Sequence, residues 1–170
     1  TEVLLALIEL YGFFDTIKKL EGMFAISLYD KKLKKIYLAK DRFGEKPLYY
    51  FYKKNINQFF FTSDLIVLSK TDLIYKEINN EALDLYFKYN YIPSPLSIYK
   101  DIYKLEPGSI LEFSIDKNTV QHFNYFKSLD LFEEKKIDLN FDNATLELEK
   151  LLVEKIENQL IADVPLGTFL

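Results

Sequence analysis

The residues of this chain best placed to do chemistry stand in one short run, Asp41-Arg42-Phe43-Gly44-Glu45-Lys46-Pro47. A guanidinium at Arg42 offers paired donors and an ammonium at Lys46 offers a point charge, so the run could hold a substrate anion. The same residue types also build a purely structural turn. Asp41 and Arg42 would fix it through hydrogen bonds and a salt bridge, Gly44 would supply a backbone conformation that other residues resist, and Pro47 would close it ahead of a strand. The structural role is the expectation, because no companion nucleophile accompanies the loop. His122, the one histidine of the chain, invites a general-base role, yet no Ser, Cys or metal-ligand spacing is organised around it. Packing or hydrogen bonding at a strand end is expected of it instead. Zero cysteines exclude disulfides, thiolate-bound zinc and a thiol nucleophile within these residues. No metal-ligating set is expected.

The elements that must position these residues follow from spacing. Val3, Leu4, Leu7, Ile8 and Tyr11 recur at helical intervals and Gly12 follows as a stop, which predicts an opening helix. Nothing before it supplies an N-cap, so the natural start is expected further upstream. Met23 to Tyr29 and Ile36 to Ala39 are β-favouring runs joined by Asp30-Lys-Lys-Leu-Lys-Lys35, and Leu48 to Tyr52 and Gln58 to Thr62 repeat the arrangement. These four strands are expected in antiparallel series in one sheet. Ser63-Asp64 starts a helix ahead of Leu65, Ile66 and Leu68, and Asn79 or Asn80 caps another through Leu83, Tyr86, Phe87 and Asn90. Pro93, Pro95 and Pro107-Gly108 then leave Ser109 to Ile115 and Thr119 to Phe123 as a further hairpin. From Lys127 to Asn143 the periodicity lapses, with Glu133-Glu134 and Lys135-Lys136 as a solvated face. Asp142 or Asn143 starts a helix with Leu148, Leu152, Ile156 and Leu160 on one face. Leu166 to Leu170 reads as the beginning of a buried strand.

Asp41-Arg-Phe-Gly-Glu-Lys-Pro-Leu-Tyr-Tyr50 and Asp163-Val-Pro-Leu-Gly-Thr-Phe-Leu170, with Leu20-Glu-Gly-Met-Phe-Ala25, Ile92-Pro-Ser-Pro95 and Lys104-Leu-Glu-Pro-Gly108 in order between them, resemble the asparagine synthase (glutamine-hydrolysing) family. The resemblance runs over nearly the whole chain. It implies an α+β fold: the C-terminal part of an Ntn-hydrolase-like αββα sandwich over residues 1–127, a linker at 128–143, and at 144–170 the first helix and strand of an α/β ATP-pyrophosphatase (PP-loop) domain. In such proteins an N-terminal cysteine attacks glutamine while an Asn side chain and a Gly amide stabilise the oxyanion. ATP then activates an aspartate carboxylate, with Mg2+ neutralising the phosphates, and ammonia displaces AMP. The cysteine and the Ser-Gly-Gly-x-Asp-Ser phosphate loop are not in this sequence, so an inactive fragment with no catalytic residue and no bound cofactor is expected. By the resemblance the main chain of Phe169 meets the adenine of ATP and Leu170 leads into the pyrophosphate loop. Thr1 and Glu2 would neighbour the glutamine site without acting in it. Thr62-Ser63-Asp64 departs from the more usual Ala-Ser-Glu.

Composition narrows the partners. With 49% apolar and 28% charged residues in 170, the chain has the balance of a globular protein. A net charge of -4 gives no electrostatic reason to expect nucleic acid or an anionic membrane. The aromatic run Tyr49 to Tyr52 with Phe59 to Phe61 lacks the basic groove that base stacking needs, so sheet core is expected of it. Without a leader or a membrane-length apolar run, a cytoplasmic location is expected. Glutamine, aspartate and ATP are the partners the resemblance implies for the intact protein, with a homodimer left open. Another carboxylate, such as a sugar acid, is an alternative acceptor. A non-catalytic interaction scaffold is the rival of a different class, and its half-built sheets would expose strand edges and apolar surface.

Overall fold

The computed structural model describes residues 2–71, 76–132 and 138–167, and the chain divides into two compact units, 1–128 and 129–170. The first unit opens with helix α1 (Glu2–Tyr11), which ends where the Gly12 amide donates to the Ile8 carbonyl at 2.8 Å. Gly12 takes φ 78°, a conformation cheap only for glycine. The chain does not leave helical structure there. A second helix, α2 (Phe13–Lys19), begins at the next residue and buries Phe13, Thr16 and Ile17. Seven residues are too few for periodicity to announce it.

Strands β1 (Ala25–Asp30) and β2 (Lys35–Lys40) form the first expected hairpin, and β3 (Tyr49–Lys53) and β4 (Gln58–Thr62) the second. The expectation of one four-stranded series is corrected. Strand β2 pairs on its far side with β6 (Ser109–Ser114), which pairs with β7 (Thr119–Asn124), whereas β3 pairs with β5 (Ile102–Lys104). The result is a four-stranded sheet of order β1-β2-β6-β7 and a three-stranded sheet of order β4-β3-β5, both antiparallel. The hairpin turns close local pairs. Between β2 and β3 the segment 41–48 instead carries the chain from one sheet to the other, so those two strands never meet.

Side-chain alternation then builds layers. Leu38, Leu111 and Phe113 from the larger sheet meet Tyr50, Tyr52 and Phe59 from the smaller one, with Leu48 and Leu105. The opposite face of the larger sheet, through Tyr37, Ala39 and Ile110, packs against Phe13 and Ile17 of α2. The opposite face of the smaller sheet, through Phe51 and Ile102, packs against Leu68 of helix α3 (Leu65–Ser69). Helix, sheet, sheet and helix thus stack in that order. The aromatic run lies in this core as expected except for Phe61, which is exposed; Phe59 stacks on Phe113 at 4.3 Å and Phe60 on Phe51 at 4.5 Å between centroids. Fully burying one such leucine or aromatic ring contributes roughly 1.5–3 kcal/mol.

The expected caps are in place at two helices. Asp64 accepts from the Ile66 amide at 2.8 Å, and Asn79 accepts from the Ala82 amide at 3.3 Å at the start of α4 (Asn80–Tyr89). In the second unit, helix α5 (Phe141–Gln159) starts earlier than expected: the cap is Asn140, which accepts from the Asn143 amide at 2.9 Å. Its Leu148, Leu152, Ile156 and Leu160 are exposed. Leu166 and Gly167 carry no regular structure, and the remainder of the expected final strand lies outside the described residues, as do Glu133-Glu134 and Lys135-Lys136. No helix among the described residues is long and apolar enough to cross a membrane.

Candidate functional site

The Asp41 loop begins where β2 ends and is built around one carboxylate. Asp41 is 1% exposed. Its Oδ1 accepts the amides of Phe43 at 3.2 Å and Glu45 at 2.9 Å, and its Oδ2 accepts those of Lys46 at 3.1 Å and, more weakly, Phe24 at 3.4 Å. The main chain joins in. The Asp41 carbonyl accepts from Gly44 at 3.2 Å and from Gly108 at 2.8 Å, while its amide donates to Phe24 at 3.0 Å. Burial pushes the Asp41 carboxyl up, but the amides of Lys46, Glu45 and Phe24 outweigh it and hold the group below its ordinary value. The carboxylate is occupied by the protein's own backbone.

Each neighbour has a place in this frame. Arg42 donates from Nη2 to the Lys18 carbonyl at 3.0 Å and lies over the Phe126 ring, tying the loop to α2. Gly44 takes φ 72°, and a Cβ there would stand 2.8 Å from Pro107 Cγ and 3.1 Å from Lys40 Cε. Lys46 contributes its amide to Asp41 and leaves its side chain exposed, and Pro47 is the exposed residue before buried Leu48. The loop so braced forms one wall of a cavity of about 350 Å³, whose lining includes Lys40, Gly44, Tyr91, Ser94, Lys104 and Pro107.

Lys40 and Lys104 are the residues that sequence reasoning missed as site members. Lys40 is only 6% exposed. It follows Ile36 and Leu38 at strand alternation, so it sits on the β2 face that meets the other sheet. Desolvation lowers its pKa against the raising effect of Asp41, and desolvation together with the charge of Lys40 lowers that of Lys104. A lysine ending an apolar strand directly before an aspartate was the available signal.

His122 lies on β7, apart from the loop, with Nε2 3.5 Å from the Tyr50 hydroxyl at a cavity of about 180 Å³ that also includes Glu106. Desolvation lowers the pKa of its ring against a raising effect of Glu106, and burial pushes Tyr50 up to about 12. The shortened carboxylate at Asp64 is the N-cap of α3, a role that Asp fills better than Glu. Glu2 is an exposed residue in the first turn of α1. Phe169 and Leu170 lie outside the described residues. Among the described residues no group of three or more His, Asp or Glu could hold a metal ion.

The loop and both sheets fall within residues that one family of proteins matches in sequence. The family model described as "Glutamine amidotransferase domain" matches residues 1–125, and the chain belongs to that family. Among curated proteins, it is 38% identical over 175 residues to the "Putative asparagine synthetase (glutamine-hydrolyzing) 2" of Methanocaldococcus jannaschii, a match covering 100% of this chain and 32% of that protein. It is 32% identical over 173 residues to asparagine synthetase (glutamine-hydrolyzing) 1 of Bacillus subtilis, covering 100% of this chain and 26% of the relative. Asparagine synthetase (glutamine-hydrolyzing) 3 of the same organism is 31% identical over 157 residues, covering 92% and 24%. The chain therefore spans a third or less of the length of these relatives.

Proposed function

We propose that this chain is part of a glutamine-dependent amidotransferase that transfers the amide nitrogen of glutamine to the carboxylate of aspartate, using ATP and Mg2+ to form asparagine. The observation that carries the reading is the family match over residues 1–125, supported by relatives that bear the asparagine synthetase name across the full chain. The helix-sheet-sheet-helix stack supports assignment of residues 1–127 to the later part of an Ntn-hydrolase-like glutaminase domain. Residues 144–170 would then open an ATP-binding PP-loop domain after a linker at 128–143. There the main chain of Phe169 would meet the adenine of ATP and Leu170 would lead into the pyrophosphate loop.

In this reading the present residues act as framework. The Asp41 loop locks the crossing between the two sheets, and the sheets would hold the reacting groups of glutamine hydrolysis, which requires a nucleophile. With no cysteine in its 170 residues, the chain by itself should release no ammonia from glutamine. The deciding experiment gives the protein at its natural length amide-15N-glutamine, aspartate, ATP and Mg2+ in the cytoplasmic pH range, and follows the label by mass spectrometry. Labelled asparagine, with AMP formed one for one, is expected. Label appearing only as free ammonia, or only on an added sugar acid, would overturn the assignment of aspartate as acceptor.

A further inference from the structure

Lys40 presents a problem that the glutaminase reading does not use. Only 6% of the residue is exposed, and that remainder includes its ammonium, which makes no hydrogen bond and no ion pair among the described residues. A largely desolvated cation without a partner gains from a counter-charge supplied from outside. The nearest acid cannot serve fully. Asp41 raises the Lys40 pKa only as a secondary effect, and both of its oxygens are already taken by amides.

The ammonium stands at the cavity of about 350 Å³, and a second cation, Lys104, lines the same space. Lys104 donates to the Ile92 carbonyl, which anchors it at the wall while leaving it two further protons to donate. The two lysines are close enough that the charge of one lowers the pKa of the other. Glu45 is the one acid of the lining and is exposed. Tyr91 and Pro107 supply apolar wall and Ser94 a hydroxyl, a composition usual for a small-ligand cleft. Gly44 belongs to the same design, since any side chain there would press on Pro107 and on the Lys40 stem.

We propose that this cavity is an anion-binding site, in which Lys40 and Lys104 together hold the oxygens of a small carboxylate or phosphate group. It is independent of glutamine hydrolysis and does not rest on that assignment. Binding would stabilise the charged form of both lysines and remove their mutual repulsion.

The test is competitive acetylation of the natural-length protein by acetic anhydride, read lysine by lysine through peptide mass spectrometry. Inorganic phosphate is titrated at constant ionic strength, with acetate in a parallel series. Phosphate or acetate should slow acetylation of Lys40 by at least about threefold, the factor reached at two-thirds occupancy. Exposed Lys54 and Lys117, which lie outside the lining, should be unaffected, and the anion that protects at lower concentration identifies the preferred group. Lys104→Met should abolish the protection, and Lys104→Arg should retain it, with circular dichroism confirming the fold of each variant. Should Lys104→Met fail to fold, the wild-type titration decides alone. Three results would overturn the proposal: no protection by either anion, equal slowing at Lys54 and Lys117, or a Lys40 that resists acetylation with and without added anion because another part of the protein already fills the cavity.

Discussion

Replacing Asp41 by asparagine separates a structural carboxylate from a ligand-binding one. The two oxygens share the work evenly: Oδ1 serves Phe43 and Glu45, and Oδ2 serves Lys46 and the more distant Phe24. An asparagine can keep its carbonyl on the Phe43 and Glu45 amides, but its NH2 group then faces the Lys46 and Phe24 amides, donor against donor. One good charge-assisted bond and one weak one are lost and two part-buried amides are left without an acceptor. At roughly 1.5–3 kcal/mol for a hydrogen bond to a charged group, the expected loss is about 3 kcal/mol, from a total that for domains is about 5–15 kcal/mol. The pH dependence provides a second readout. The folded-state pKa of Asp41 is depressed, so its contribution is complete above the unfolded value near 3.9 and is lost as pH falls through the folded value below it. Urea unfolding of the natural-length protein at pH 7, followed by tyrosine fluorescence, should show the variant's midpoint well below that of the wild type. The difference between the two proteins should then shrink as pH falls below about 4. A loss under about 0.5 kcal/mol at pH 7, within the range of ordinary surface substitutions, would refute the argument that this carboxylate organises the loop.

Three further outcomes follow from local geometry. Gly44→Ala should destabilise by about 2 kcal/mol, because alanine at φ 72° is strained and its Cβ would stand 2.8 Å from the Pro107 ring; an unchanged denaturant midpoint would contradict this. Thr16→Val should raise stability by about 1 kcal/mol, since the Thr16 hydroxyl is fully buried without a hydrogen-bond partner and valine keeps the shape; a lower melting temperature would count against it. In an NMR titration, with the His122 signal assigned by its loss in a His122→Gln variant, the His122 midpoint should lie below the ordinary value near 6.5. Glu106→Gln should lower that midpoint further, because Glu106 raises the His122 pKa against desolvation; a midpoint that rises in the variant would show the sign to be wrong.

What the sequence made legible is what short-range chemistry decides. Asp64 and Asn79 announce helix starts because a side-chain oxygen two or three residues ahead of a free amide has one favourable use. The hairpin at Asp30 is similarly local, with its carboxylate accepting the amides of Lys32 and Leu33 at 2.8 and 2.9 Å. The pairing of β2 with β6 is not local, and the pattern of β2 could not reveal it. Ile36 and Leu38 face one layer while Tyr37 and Ala39 face another, so the strand is apolar on both faces and reads as a continuous run with no alternation to assign. The same two-sided burial concealed Lys40. By composition a lysine at the end of an apolar run marks the point where a strand emerges into water. The fold instead keeps that position on the inner face, because the Asp41 loop turns the chain into the second sheet immediately afterwards, and Pro107 lines the same cavity. The charge that seemed to end the strand thereby lies beside Lys104 in the wall of one cavity, a juxtaposition set by a crossing between sheets that only the three-dimensional arrangement discloses.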